Sequence, residues 1–122
     1  MALAALTTCN AVVGYTRYMD MVEPALLTGK EIFVSGMKQE MERTAKAVEF
    51  ALSGLHTVVV SSGDSGIYGM AGLVLEYLER HQLLESIELE VIPGIPALCA
   101  AAALLGAPLM HDFASISLSD LL

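Results

Sequence analysis

The chain has 122 residues, 55% of them hydrophobic and 16% charged, and its six Lys plus Arg against 14 Asp plus Glu give a formal charge of −8. That length and apolar fraction describe one folded domain and exclude a disordered segment. So acidic a chain carries no basic patch with which to track a phosphate backbone or an anionic lipid surface, which speaks against nucleic acid and membrane as partners.

The opening MALAALTTCNAVVGY lacks a basic n-region, and Thr7, Thr8 and Asn10 break its apolar residues, so it does not read as an export signal. Cys9 and Cys99 are far apart, with no CxxC spacing and no framework of pairs, as in a reduced, cytoplasmic protein. Ala11 to Gly14 (AVVG), Ile32 to Val34 (IFV), Thr57 to Ser61 (TVVVS) and Ile87 to Ile92 (IELEVI) are short β-rich runs that predict strands. Between them, Met37 to Leu52 places Met37, Met41, Ala45, Val48 and Leu52 on one helical face, with a Glu42/Lys46 pair outside and Gly54 as the C-terminal cap. A further helix over Tyr68 to Gln82 turns Met70, Leu73, Val74, Tyr77 and Leu78 inward and the Glu76/Arg80 pair outward. Strands alternating with helices predict an α/β fold, a parallel sheet flanked by helices. TVVVS is apolar on both faces and is expected at the sheet centre. Val91 to Met110 is uncharged, but Pro93, Gly94, Pro96, Gly106 and Pro108 leave only Pro96 to Leu105 as a continuous helix, too short to span a bilayer and expected to be buried. Phe113 to Leu122 begins as an alternating strand and ends as if a helix were starting.

In an open parallel sheet, ligands bind beyond the carboxyl ends of the strands, where backbone N–H groups are free. Ser61-Ser62-Gly63-Asp64-Ser65-Gly66-Ile67-Tyr68-Gly69 occupies such a place, between the third predicted strand and a helix. Its glycines permit positive φ and close approach of a ligand, and its Ser and Asp side chains add donors and acceptors. The alternative is that Asp64 or Ser65 caps the helix and the glycines only make the turn. No GK[ST] follows, and the order is not GxGxxG, which removes the main support for phosphate chemistry. A receiver-type phospho-acceptor role for Asp64 lacks the acidic pair that would hold magnesium. His56, His81 and His111 lie scattered without metal-ligand spacing, so no metal site is indicated. There is no GxSxG elbow, and Cys99 reads as a small core residue. A second turn, Val91-Ile92-Pro93-Gly94-Ile95-Pro96-Ala97, opens a helix of Ala and Leu, and small residues there serve close packing or a flat ligand. His111 and Asp112 interrupt an apolar run and are candidate acid/base groups, with capping or a turn as the simpler role for Asp112.

Taken together, SSGDSGIYGMA, VIPGIPALCAAAALLGAPLMHDFASISLSDLL and VVGYTRYMD resemble the tetrapyrrole (corrin/porphyrin) methylase family, and within it the precorrin-3B C(17)-methyltransferase branch of cobalamin biosynthesis. The resemblance implies an enzyme that uses S-adenosyl-L-methionine, releasing S-adenosyl-L-homocysteine, to methylate a ring carbon of a precorrin or cobalt-precorrin, with ring contraction. It further implies two α/β domains in a homodimer, with the cofactor in the cleft between the domains. By motif, Ser62, Gly63, Asp64, Ile67, Tyr68, Pro96 and Ala97 line the methyl donor. Two positions depart from the family pattern: Ser65 stands where the loop commonly reads GDP, and Pro96 stands where PGI commonly continues with Thr or Ser. Family members begin with a strand and glycine-rich turn ahead of the helix that Met1 to Thr8 finishes, and continue into a C-terminal domain. By resemblance, residues 1–122 are thus the N-terminal domain without those parts, holding half of each site and inactive alone. A non-catalytic α/β module serving dimerisation or assembly through an exposed apolar patch is the other reading.

Overall fold

The structure, a computed structural model, describes residues 1–117. Helix α1 (Ala2–Thr8) leads into strand β1 (Ala11–Tyr15), which runs directly into the short helix α2 (Thr16–Met19). A 3-10 turn at Pro24–Leu26 precedes β2 (Glu31–Ser35), followed by α3 (Glu40–Leu52), β3 (Thr57–Val60), α4 (Ala71–Arg80) and α5 (Ala97–Leu104). The sheet is parallel in the order β2-β1-β3, with Val12 opposite both Ile32 and Val58. An α/β architecture with helices on the sheet is therefore what the chain adopts.

The central strand is β1, not TVVVS. Ala11, Val12 and Val13 are wholly buried, whereas β3 pairs on one side only and is half-buried along its length. Apolarity on both faces marked TVVVS as interior, but pairing is decided by neighbours that periodicity does not reveal. The predicted strand Ile87 to Ile92 does not form, and Phe113 to Ser117 is not a strand; the rest of that last run lies outside the described residues. One face of β1 packs Val12 with Cys9, Met19, Leu6, Val58 and Val60. On α3 and α4, Val48, Val74 and Leu78 form a second cluster with Tyr77 and Ile87.

The buried face of α3 is also turned from the expected one. Arg43, Thr44, Ala47 and Val48 are buried, while Met37, Met41 and Leu52 are exposed. Arg43 is the cause: only 4% exposed, it donates to Ser35 Oγ at 2.9 Å and the Gly36 carbonyl at 2.7 Å, pairs with Glu40 at 3.0 Å, and lies 5.8 Å from the Tyr15 ring centroid. A charge can be buried when its donors are satisfied in this way, and here it ties α3 to the end of β2. Lys46 pairs with Glu49 at 2.7 Å in place of Glu42. Gly54 caps the helix as expected, with φ of +87° and its N–H on the Ala51 carbonyl. In α4 the Glu76/Arg80 pair forms at 4.0 Å. At the other end of the sheet, Lys30 Nζ donates to the Thr7 and Cys9 carbonyls at 3.2 and 2.6 Å, a cation at the carboxyl end of α1.

Helix α5 is not buried. It has no buried residue, Leu104 is 88% exposed and Cys99 is exposed, so the expected buried helix and small core cysteine are both corrected. Of its eight residues only Leu98 and Ala102 are half-buried and the rest are exposed, and among the described residues no helix is long and apolar enough to cross a membrane. Replacement Arg43→Ala strips the Ser35 and Gly36 oxygens of their donors and should lower the unfolding free energy in urea by about 2 kcal/mol. A loss below about 0.5 kcal/mol would show that the buried guanidinium holds nothing in place.

Candidate functional site

Loop 61–70 leaves the carboxyl end of β3 and enters α4, and its main chain turns back on itself. Ala71 donates to the Ser65 carbonyl at 3.0 Å and Ile67 to the Asp64 carbonyl at 3.2 Å. Gly63 has φ of +66° and Tyr68 φ of +53°, the second an uncommon conformation for a bulky residue. A Cβ on Gly69 would stand 2.5 Å from the Ser65 carbonyl oxygen, so that glycine is needed for the turn to close.

The carboxylate of Asp64 joins this loop to the turn before α5. One oxygen accepts from the Gly66 N–H at 2.8 Å and the other from the Gly94 N–H at 2.9 Å. Beside it, Ser65 Oγ donates to the Ile92 carbonyl at 3.3 Å, so the serine that stands in the proline position fastens the same two segments. Gly94 packs against the Gly63 carbonyl so closely that a Cβ at that position would overlap it. A Cβ on Gly63 would in turn meet the Ile95 carbonyl at 3.5 Å and Pro96 Cα at 3.7 Å. Two segments thirty residues apart thus meet main chain to main chain at the end of the sheet.

Of the predicted site residues, Ser62, Gly63, Ile67, Tyr68 and Ala97 are exposed, and Asp64 and Pro96 are half-buried. The structure brings Gly63 and Asp64 together with the Gly94–Pro96 turn. The hydroxyl of Tyr68 donates to the Ser115 carbonyl at 2.9 Å, which joins residues near 115 to the loop. His111 and Asp112 are exposed, and neither is brought into the pair of loops by a hydrogen bond. Sequence reasoning missed Gly94 and Ser65 as the partners that fix the geometry. A Pro-Gly step directly after a β-rich run was the available signal for the first, whereas the second requires knowing which turn lies opposite. Among the described residues, no group of three His, Cys, Asp or Glu is arranged to hold a metal ion.

Chemically, the arrangement offers main-chain donors more than charge. No main-chain partner occupies the N–H of Ser62 or Gly63 among the described residues, and the first N–H groups of α5 open beside them. The carboxyl of Asp64 is held below its ordinary value of 3.8, chiefly by the Gly94 N–H and next by that of Gly66, with desolvation opposing.

The family profile described as Tetrapyrrole (Corrin/Porphyrin) Methylases matches residues 1–121. A probable cobalt-factor III C(17)-methyltransferase of Salmonella typhimurium is 50% identical over 121 residues, covering 99% of this chain and 49% of that protein. A precorrin-3B C(17)-methyltransferase of a Sinorhizobium species is 38% identical over 118 residues, covering 95% of this chain and 45% of the relative. Among solved structures, the methyltransferase CobJ superposes with a TM-score of 0.87 at 42% identity, over 96% of this chain and 48% of that one. The chain spans half or less of the length of the curated relatives it matches.

The carboxylate bridge has a pH signature. Because the folded value of Asp64 lies below 3.8, its stabilisation of the loop pair is fully present above that pH and is lost as pH falls through the lower, folded value. The NMR amide resonances of Gly94 and Gly66 should titrate together with a midpoint below 3.8, and Asp64→Asn should abolish that titration. A common midpoint at or above 3.8 would mean that the carboxylate does not bind both amides.

Proposed function

The chain belongs to the tetrapyrrole methylase family, and on that premise we propose that it supplies the N-terminal half of an S-adenosyl-L-methionine-dependent methyltransferase. The substrate is a precorrin or cobalt-precorrin methylated on a ring carbon, in line with the C(17)-methyltransferase names of its relatives, and the methylation is accompanied by ring contraction. One observation carries the reading: the SSGDSGIY loop and the PGIPA turn meet beyond the carboxyl end of β3, fastened by Asp64, with donor-rich main chain left open.

The donor set suits a zwitterionic amino-acid tail joined to an adenosine. The N–H groups of Ser62 and Gly63 and the opening turn of α5 would take the polar tail, and Ile67, Tyr68, Pro96 and Ala97 would bound the remainder. Asp64 would act by holding the two segments together, since both of its oxygens already bind N–H groups. Pro96 has no N–H and no hydroxyl, so contact there is apolar. When bound, S-adenosyl-L-methionine would supply an electrophilic methyl group to a nucleophilic ring carbon, with S-adenosyl-L-homocysteine as the leaving thioether. What the chain contributes is position and orientation, for which no dedicated catalytic side chain is required. His111 and Asp112 are candidates for the proton chemistry of ring contraction. A C-terminal domain outside this sequence would complete the cofactor and macrocycle sites, so this chain alone would be inactive.

A cytoplasmic homodimer is the setting we propose. It is supported by the uncovered apolar side chains of α5 and the segment beyond it, Leu104, Leu105, Met110 and Phe113, which a second copy would bury. Sedimentation should show a dimer that Leu105→Glu shifts to monomer; a wild-type chain still monomeric at about 100 μM (association weaker than about 5.5 kcal/mol) would remove that support.

Calorimetric titration with S-adenosylhomocysteine, which cannot turn over, tests the site. Saturable binding is expected, weakened at least tenfold by Asp64→Ala and by Gly94→Ala, which pushes the turn off the loop. Absence of binding by the folded chain, or binding that ignores both replacements, contradicts the assignment.

A further inference from the structure

The chain has six Lys and Arg side chains, and four of them have partners. Lys30 closes the carboxyl end of α1, Arg43 is buried against Ser35, Gly36 and Glu40, Lys46 pairs with Glu49, and Arg80 pairs with Glu76. Arg17 and Lys38 are exposed, and their side chains make no hydrogen bond or ion pair among the described residues. Carboxylates are not lacking close by in the chain: Asp20 follows Arg17, and Glu40 and Glu42 follow Lys38. Glu40 is taken by Arg43 and Glu42 by the Gln39 amide, while Asp20 stays apart from Arg17.

Both unpaired cations leave the same edge of the sheet. β1 ends at Tyr15 and β2 at Ser35, register partners in parallel strands, so α2 and the turn at residues 36–39 start side by side, about 4.8 Å apart. Thr16 Oγ1 donates to the Ser35 carbonyl at 3.2 Å, which ties the two exits together. The turn after β2 is closed by the Gln39 side chain, whose Oε1 accepts from the Gly36 N–H at 2.6 Å, and within it Lys38 has φ of +62°. A left-handed conformation is costly for a lysine and persists only where the surrounding turn imposes it, so Lys38 is held in place by a defined bend. The third strand ends beside these two. Gly14 is opposite Val60, so Tyr15 and Ser61 leave the sheet together, and the loop proposed to take the methyl donor follows directly. The same exit carries Tyr15 and Tyr18, half-buried rings packed edge to face at 5.1 Å.

We propose that Arg17 and Lys38 form a carboxylate-binding pair that positions the macrocycle, holding acidic arms of the ring across the ends of β1 and β2, next to the methyl-donor loop. The inference rests on reading the chain as half of a methyltransferase that acts on a precorrin or cobalt-precorrin, whose ring carries acetate and propionate arms. So acidic a ligand is repelled by a chain of charge −8 unless cations are gathered where it lands, and unpaired cations bind a carboxylate without first giving up a partner. The guanidinium of Arg17 can take both oxygens of one arm, while Lys38 acts as a point charge on another. Tyr15 and Tyr18 add ring surface and hydroxyl groups at the same edge. Arg17 and Lys38 are positioning residues, since neither carries the methyl group or a proton of the reaction.

The probes are dicyanocobyrinic acid, a corrin with free carboxylate arms, and dicyanocobinamide, the same ring with its arms amidated. Each is titrated into the 122-residue chain and followed by visible absorbance. The acid should bind saturably, and the amide about tenfold more weakly or worse. Arg17→Gln and Lys38→Gln should each weaken binding of the acid about fivefold, and together by more than about tenfold. Lys46→Gln, which removes the same charge from α3, should change nothing. Backbone amide shifts on adding the acid should centre on residues 15–18 and 36–39, and S-adenosylhomocysteine should bind the variants as it binds the wild type. Failure of the acid to bind, equal binding of the amide, a loss from Lys46→Gln as large as from the other two, or shifts gathered on α5 would each overturn the proposal. Loss of S-adenosylhomocysteine binding with the corrin response intact would instead contradict the donor site and support the carboxylate pair.

Discussion

The carboxylate of Asp64 fastens the turn at Gly94 to the loop beyond β3. Residues 88–95 belong to no ladder, so their position is not dictated by the sheet. It is set by the bonds from Asp64 to Gly94 and from Ser65 to Ile92, and by the close approach of Gly94 to the Gly63 carbonyl. A charged acceptor facing main-chain N–H groups makes a stronger bond than a neutral one, and it draws a carboxyl below its usual range as a consequence. From that fastening follow the placement of α5 and the open donors at its start.

The same interaction shows how far sequence reasoning reaches. A strand, a glycine-rich loop and a helix in that order located the SSGDSGIY segment, and it lies where a parallel sheet leaves its donors free. From the sequence, Asp64 reads as cap or ligand, both local to its own loop. The structure gives a third role that requires a partner thirty residues away, which no spacing rule encodes. Interior position in the sheet was misassigned for a related reason. TVVVS and AVVG are both apolar on two faces, and only the tertiary arrangement makes β1 the strand with two neighbours. IELEVI carries β-rich character without a pairing edge within reach, so its propensity is not realised.

Periodicity failed at α3 because it counts hydrophobic side chains and takes charge as outward. Arg43 reverses that sign, since Ser35, Gly36 and Glu40 satisfy its donors and the Tyr15 ring lies close by. The cost is that Met37 and Met41 face solvent. At α5 the difference runs the other way: an uncharged run of Ala and Leu is expected inside, yet none of its residues is buried and most are exposed. The first fixes the end of β2, and the second leaves an apolar surface exposed.

The central claim is that the two fastened loops form one half of a methyl-donor site. Amide chemical-shift mapping of the 122-residue chain with S-adenosylhomocysteine tests it residue by residue. The account predicts shifts concentrated at Ser62, Gly63, Ile67, Tyr68 and Ala97, with the amides of β2 and of the exposed side of α3 unmoved. Shifts absent from those residues, or spread evenly over the exposed apolar surface, would contradict it.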